Sequence, residues 1–182
     1  KAKRELENRI IELIKKQDLD TDLSKLNVHT FHSYALDFME EDEIVSTNLL
    51  RYSIYQYLKE HEILNYSDEY LIDTIVPKME NLIRYLKNFG IIPDKINLEK
   101  TKKFIEDDEK FTKEELNNFA DDFVKIFEYY EESKKKKGID YADMLINFSN
   151  LKNNSKFKYV LVDELQDVNT IEAEISLKSG EN

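Results

Sequence analysis

The sequence predicts a mainly α-helical fold, in which a long helical block is flanked by partial α/β pieces holding about two short strands. Three observations lead there. Glycine and proline together number only five, which leaves few positions to break regular structure and disfavours a many-stranded fold. Apolar residues recur at helical spacing through most of the chain. Only two short runs are β-friendly, Leu26–His29 and Tyr159–Val162, and they lie near opposite ends.

Composition narrows the functional classes. Hydrophobic residues make up 41% and aromatics 12%, enough for extensive burial, while 36% charged residues imply a heavily decorated helical surface. At 182 residues the chain can hold one good core, or a core and a small subdomain. The formal charge of −11 has the wrong sign for a dedicated nucleic-acid-binding module, so any DNA contact is expected to be local. The absence of cysteine excludes disulfides, thiolate zinc sites and a cysteine nucleophile, and fits an intracellular, cytoplasmic setting. No long apolar run and no signal peptide is found, and a soluble protein is expected.

Taken in order, residues 2–17 place Leu6, Ile10, Leu13 and Ile14 on one face of an amphipathic helix that has no capping residue before it. Residues 18–25 are polar and turn-like. Leu26–His29 then forms a short strand, and Thr30 caps a helix carrying Phe31, Tyr34, Ala35, Phe38 and Met39. An acidic turn at 40–43 leads into the helical block. Thr47 caps a helix with Leu50, Ile54, Tyr57 and Leu58, and Ser67 or Asp68 caps one with Leu71, Ile72, Ile75 and Val76. Pro77 either kinks that helix or starts the next, whose apolar face is Met79, Leu82, Ile83 and Leu86 and whose end is Gly90.

A short helix near 98–107 precedes the longest one, where Thr112 and Glu115 make a capping box and Leu116, Phe119, Phe123, Ile126, Phe127 and Tyr130 share a face. The Lys134–Lys137 run ends it. Cations there complement the helix dipole and read as a solvated face. Asp140 caps a helix with Met144, Leu145 and Phe148, residues 153–155 form a loop, and residues 170–178 are helical.

The chemistry concentrates where the second strand stops. Tyr159–Val162 reads as a strand buried on both faces, with Asp163 and Glu164 at its carboxyl end, where ligands gather in open α/β sheets. In a Mg-nucleotide site one such carboxylate holds Mg²⁺ and the other orients or deprotonates the water attacking the γ-phosphate. Gln166 and Asp167 add an amide and an acid able to sense nucleotide or bound partner. An acidic turn with no ligand is an equally common source of so short a pattern. A phosphate-binding G-x-x-x-x-G-K-[ST] loop does not occur, because the three glycines stand at 90, 138 and 180. Thr30 and His32 occupy a strand-to-helix boundary where ligand contacts are frequent, although a cap and a surface histidine are the simpler account of them.

Four stretches in order resemble the UvrD/Rep-type superfamily 1A DNA helicases. Lys1–Ile10 resembles the second half of motif Ia, Thr30-Phe31-His32-Ser33 the T-F-H-[SGA] motif, Ile139–Leu145 the "DFDDLL" segment, and Val162–Asp167 the Walker B motif V-D-E-x-Q-D. The resemblance spans the chain and implies a RecA-like (P-loop NTPase) domain carrying a helical accessory subdomain. Residues 1–39 would be one partial RecA-like segment, 40–150 the accessory subdomain and 151–182 the second RecA-like segment. It implies Mg²⁺ on Asp163, Glu164 as catalytic base, and Gln166 and Asp167 joining nucleotide to DNA path. Lys1 and Ala2 would belong to a DNA-facing motif, and Thr30, Phe31 and His32 would line single-stranded DNA.

Asp140 and Asp143 are expected to be structural, as cap and hydrogen-bonding partner. Lys3 and Val168 depart from the family pattern without touching the acids. In the family the Walker A loop precedes motif Ia, so the chain is expected to be a fragment of an ATP-dependent DNA helicase, inactive alone. Its expected partners are DNA and the other helicase domains, with self-association through unpaired sheet edges. The alternative is a stand-alone helical interaction module that binds a protein without ATP.

Overall fold

A computed structural model of the chain describes residues 2–38, 43–63, 66–100, 113–151 and 157–180. The expected caps at Thr112, the acidic residues 40–42, most of the 98–107 helix and the 153–155 loop lie outside the described residues. So do Lys1 and Met39.

The described chain is mainly helical and contains no sheet. Its α-helices are α1 (Ala2–Lys16), α2 (Phe31–Leu36), α3 (Asn48–Glu60), α4 (Asp68–Tyr70), α5 (Val76–Asn88), α6 (Lys113–Lys134), α7 (Tyr141–Asn150) and α8 (Thr170–Ser179). Between α4 and α5, Leu71–Ile75 forms a π-turn. Proline explains it. Pro77 has no N–H to donate to the carbonyl four residues back, and the backbone widens so that Val76 donates to Leu71 instead.

The helix ends show what glycine scarcity does. The residues after α1, α3 and α5 all adopt the left-handed conformation, at Asp18 (φ 50°), Glu62 (φ 49°) and Gly90 (φ 68°). Each is followed by a backbone bond spanning back five residues, Leu19 to Ile14 (3.2 Å), Ile63 to Leu58 (3.4 Å) and Ile91 to Leu86 (3.0 Å). These are Schellman closures, which glycine adopts without strain; only one of the three has it. Caps at helix starts follow expectation at Thr30, Ser67 and Asp140. Thr47 instead takes a helical conformation with no side-chain bond, and the Ser46 hydroxyl accepts from the Asn48 N–H at 3.3 Å.

Two cores form. In the first, α3, α5, the π-turn and α6 bury Leu50, Ile54, Leu58, Leu71, Met79, Ile83, Ile126 and Phe127. Glu80 sits at the edge of that packing between Arg51 of α3 and Arg84 of its own helix, so one buried carboxylate joins both helices. In the second core, Ala35 of α2, Met144, Leu145 and Phe148 of α7, and Ile171 and Ile175 of α8 pack with Tyr34 and Phe38 around them. The apolar stripes are narrower than their sequence pattern: Ile72 (51%), Leu82 (40%) and Phe119 (42%) remain exposed.

Both expected strands are absent as strands. Residues 26–29 and 159–162 make no ladder, and the bridges among the described residues are single parallel contacts, Ile44 with Ile139 and Phe157 with Gly180. Tyr159 is 78% and Leu161 95% exposed, where burial on both faces was expected. The physical reason is that a strand is a pairwise object. Without a neighbour to take its N–H and C=O groups, a β-friendly run stays unpaired whatever its composition. No residue of α1 is buried among those described either; on its apolar face Leu6 and Leu13 are exposed and Ile10 and Ile14 half-buried.

Glu62→Gly is expected to stabilise the protein by about 0.5–1 kcal/mol by removing left-handed strain at a closure already formed. Gly90→Ala is expected to do the reverse, because a Cβ there adds strain and meets Ile171 Cδ1 at 2.7 Å. Urea unfolding of the two variants beside the parent checks both signs.

Candidate functional site

The acidic residues at the end of the 159–162 segment form a tight turn that organises itself. The Glu164 N–H donates to Asp163 Oδ1 at 3.0 Å, the Asp167 N–H donates to the Glu164 carbonyl at 2.8 Å, and Leu165–Asp167 is a single 3₁₀ turn. The Gln166 side-chain amide donates to a Glu164 carboxylate oxygen. Glu164 itself is left-handed, with φ 50° and ψ 45°. For a residue with a Cβ this costs about 1–2 kcal/mol, and nothing in the side chain's chemistry favours it as it would for asparagine. Asp163, Glu164, Gln166 and Asp167 are all exposed, and the four expected site residues therefore stand together and reach solvent.

Directly beyond the turn, Asn169 caps α8. Its side chain accepts from the Glu172 N–H at 3.0 Å while Glu172 accepts from the Asn169 N–H at 3.1 Å, a reciprocal capping box the sequence reading did not single out. The turn is thus fastened to α8 and, through Ile171 and Ile175, to the second core.

Thr30 begins α2 on the same core. Its hydroxyl accepts from the Ser33 N–H at 3.1 Å, and the Ser33 hydroxyl accepts from the Thr30 N–H at 2.9 Å. Phe31 packs half-buried against the second core. His32 stands edge-on to Tyr141 of α7, ring centres 5.7 Å apart. The α2 start and the acidic turn are accordingly carried by one packed unit, while Ala2 opens the separate helix α1.

The strongest electrostatics lie elsewhere. Where α5, α6 and α7 meet, the ammonium of Lys87 contacts Asp140 Oδ2 (2.6 Å), Asp143 Oδ1 (2.5 Å) and Glu131 Oε1 (3.0 Å). Lys134 joins Asp143, Glu131 Oε2 (2.7 Å) and Asp140 Oδ2 (3.0 Å). The Tyr130 hydroxyl donates to Asp140 Oδ2 at 2.8 Å. Glu131, Asp140 and Asp143 alone would pass for a metal triad, but two ammonium groups fill the space between them. Asp140 and Asp143 also form the reciprocal capping box of α7, as expected of structural residues.

Burial of Asp140 pushes its pKa up, and the charges of Lys87 and Lys134 overcome this and hold it well below the usual carboxylate range. Burial likewise pushes the Lys87 ammonium down, and Asp140, Asp143 and Glu131 more than reverse it. Burial and the neighbouring carboxylates both push the Tyr130 phenol upward, so it stays a donor. Lys134 is a correction to the sequence reading: it is 3% exposed, and only the later lysines of the run are on the surface. Its phase would have shown this. Phe123, Phe127, Tyr130 and Lys134 fall on one helical face, as do Val76, Ile83 and Lys87 on α5.

A short T-F-H-S helix, a helical block and an acidic turn opening a further helix thus follow one another along the chain. Residues 1–178 match the UvrD/REP helicase N-terminal domain, and the chain belongs to that family. Over 192 aligned residues it is 29% identical to a Mycoplasma pneumoniae (strain ATCC 29342 / M129 / Subtype 1) protein named "Probable DNA helicase II homolog". Over 186 residues it is 27% identical to a Mycoplasma genitalium (strain ATCC 33530 / DSM 19775 / NCTC 10195 / G37) protein of the same name. Each alignment covers 96% of this chain and 25% of the relative, so the chain spans about a quarter of the length of these curated relatives. No solved structure matches. No helix among the described residues is long and apolar enough to cross a membrane.

Asp140→Asn keeps the cap and removes one charge, and is expected to cost about 3 kcal/mol at neutral pH because Lys87 and Lys134 lose a buried partner. The sign of the pH dependence follows from the depressed pKa. Stability from Asp140 is present above its ordinary value near 3.9 and is lost as pH falls toward its lower folded value. Acid unfolding followed from pH 6 downward is therefore expected to be shallower in Asp140→Asn than in the parent.

Proposed function

We propose that the chain supplies the Walker B half of the ATP site of a DNA helicase, and that ATP hydrolysis there drives translocation on single-stranded DNA and unwinding. The observation that carries this reading is the self-organised, solvent-facing turn Asp163–Asp167 in a chain whose helicase-family match runs through it. The donor set suits the group it would hold. Asp163 offers an exposed hard carboxylate of the kind that binds Mg²⁺ through one contact and the ion's water shell. Bound there, Mg²⁺ would neutralise charge on the nucleotide's phosphates.

Glu164 is the general base in this reading. Its carboxylate accepts from the Gln166 amide, which fixes one oxygen and leaves the other to orient water. Gln166 thereby stands between the base and whatever its backbone turn contacts, and Asp167 closes the turn through its own N–H. At the start of α2, which packs on the second core, Thr30, Phe31 and His32 would meet single-stranded DNA, the hydroxyl and imidazole at phosphates and the ring at a base. The DNA, the other helicase domains, a setting in the cytoplasm and a role in repair or recombination belong to the same proposal. So does the incompetence of these 182 residues alone, since no phosphate-cradling glycine loop occurs in them.

In the full-length protein, Glu164→Gln is expected to lower DNA-stimulated ATP turnover by about 10²–10⁴-fold, the usual worth of a general base, with nucleotide binding retained. Unchanged turnover would sink the assignment. Glu164→Gly is expected to lose turnover equally and yet raise stability by about 1 kcal/mol through relief of the left-handed strain. Opposite signs on activity and stability, read by steady-state kinetics and thermal unfolding, mark a strained functional residue.

A further inference from the structure

The two cores communicate through a narrow joint. The chain enters the helical block at Glu43–Val45 and leaves it at Gly138–Asp140, and these passages are stitched by Ile139 N–H to the Glu43 carbonyl (2.9 Å) and Val45 N–H to the Ile139 carbonyl (2.9 Å). Gly138 makes this approach possible, since a Cβ there would lie 1.8 Å from the Glu43 carbonyl oxygen. Beside the stitch sits the ion cluster. Lys87 is the α5 member of it, and its carboxylate partners come from α6 and from the first turn of α7, a helix of the second core.

Three residues beyond Lys87, Gly90 lies against the tip of the Ile171 side chain, whose Cδ1 would be 2.7 Å from a Cβ at that position. Ile171 lies in the first turn of α8, directly after the Asn169 cap and four residues after Asp167. A chain of direct contacts thus runs from the helical block through Gly90 to Ile171 and the acidic turn.

We propose that Lys87 is a positioning residue for the helicase reaction: its ammonium, held among Asp140, Asp143 and Glu131, sets the helical block against α7 and α8 so that Gly90 presses on Ile171 behind the acidic turn. The orientation of the helical block is thereby transmitted to the end of the turn that carries Gln166 and Asp167. Lys87 is buried with no outlet to water, so the helices are confined to arrangements in which its carboxylate partners still reach the ammonium. The proposal rests on the reading of the turn as the Walker B half-site, and its structural and functional parts separate in the test.

The experiment uses the full-length protein with Lys87→Met, which keeps the apolar stem, and Ile171→Val, which thins the contact without touching the cluster. Hydrogen exchange at the amides of Glu172 and Ala173, both of which donate to Asn169, reads the joint without any ATPase. Faster exchange there in both folded variants is expected, and parental exchange overturns the proposal. DNA-stimulated ATP turnover is expected to fall roughly fivefold or more, while turnover without DNA and the KM for ATP stay within about twofold. A merely structural role would lower the melting temperature and leave that stimulation ratio unmoved, which also overturns it. Should the parent protein show no ATP turnover while Lys87→Met accelerates exchange, the half-site reading fails and the joint stands as architecture only, so the claim on catalysis is rejected.

Discussion

The rest of the structure depends on two lysines buried at one joint among three half-buried carboxylates. Together the five groups leave a net charge of −1, and neither ammonium is tolerable there without the acids around it. Their Coulomb attraction has to overcome desolvation, and the direction in which Asp140 and Lys87 are displaced shows that it does. Apolar residues of equal volume could stabilise the same junction as well. The buried lysines add a constraint that apolar residues would not, since each ammonium must keep its carboxylates within reach. α5 and α6 arrive with their C-termini and α7 departs with its N-terminus, so the lysines also meet the negative ends of two helix dipoles and the acids the positive end of the third.

Around that joint the protein divides into a self-sufficient part and a part with open faces. The helical block encloses Ile54, Ile83, Ile126 and Phe127 completely and leaves its polar faces to water. The second unit buries Ala35, Phe148 and Ile175 but also presents Leu161, Tyr159, Leu165 and Leu177 to solvent. An isolated apolar side chain on a surface is ordinary, whereas a run of them with unpaired backbone beside it is the edge of something meant to be covered. The apolar face of α1 is likewise only partly covered, with Leu6 and Leu13 exposed and Ile10 and Ile14 half-buried.

Much of this was legible from the residues, and the failures share a cause. Helices came through because their hydrogen bonds are local: a periodic apolar face with a Thr, Ser or Asp cap specifies Phe31–Leu36 or Tyr141–Asn150 without reference to distant chain. The strands at 26–29 and 159–162 did not, because a ladder needs a second segment that propensity cannot supply. Lys134 was misread for the complementary reason. A lysine run suggests solvent, and only helical phase, in step with Phe127 and Tyr130, places its first member inside. Asp163 to Asp167 were singled out as acids at the end of an expected strand and by resemblance to a Walker B motif, and the structure gathers them in one turn, while Lys87 lies more than forty residues in sequence from each of its acidic partners.

The acidic turn then has an unusual mechanical status. Its internal bonds fix the carboxylates relative to one another, and the strain at Glu164 persists because the 3₁₀ turn and the Asn169 cap over-determine the backbone on its C-terminal side. On its N-terminal side, among the described residues, the chain is tied only loosely, through the Phe157 bridge to Gly180 and Val160 beside it. Both sides of the turn are thus referred to α8, and a displacement of α8 is expected to carry the acids with it. Two contacts bear on the buried face of that helix: the second core, which also carries Thr30 and His32, and Gly90 of the helical block. A turn carried in this way does not keep its geometry independent of either neighbour. If it is the Walker B half-site proposed above, that dependence is what coupling nucleotide chemistry to movement along a strand would require of it.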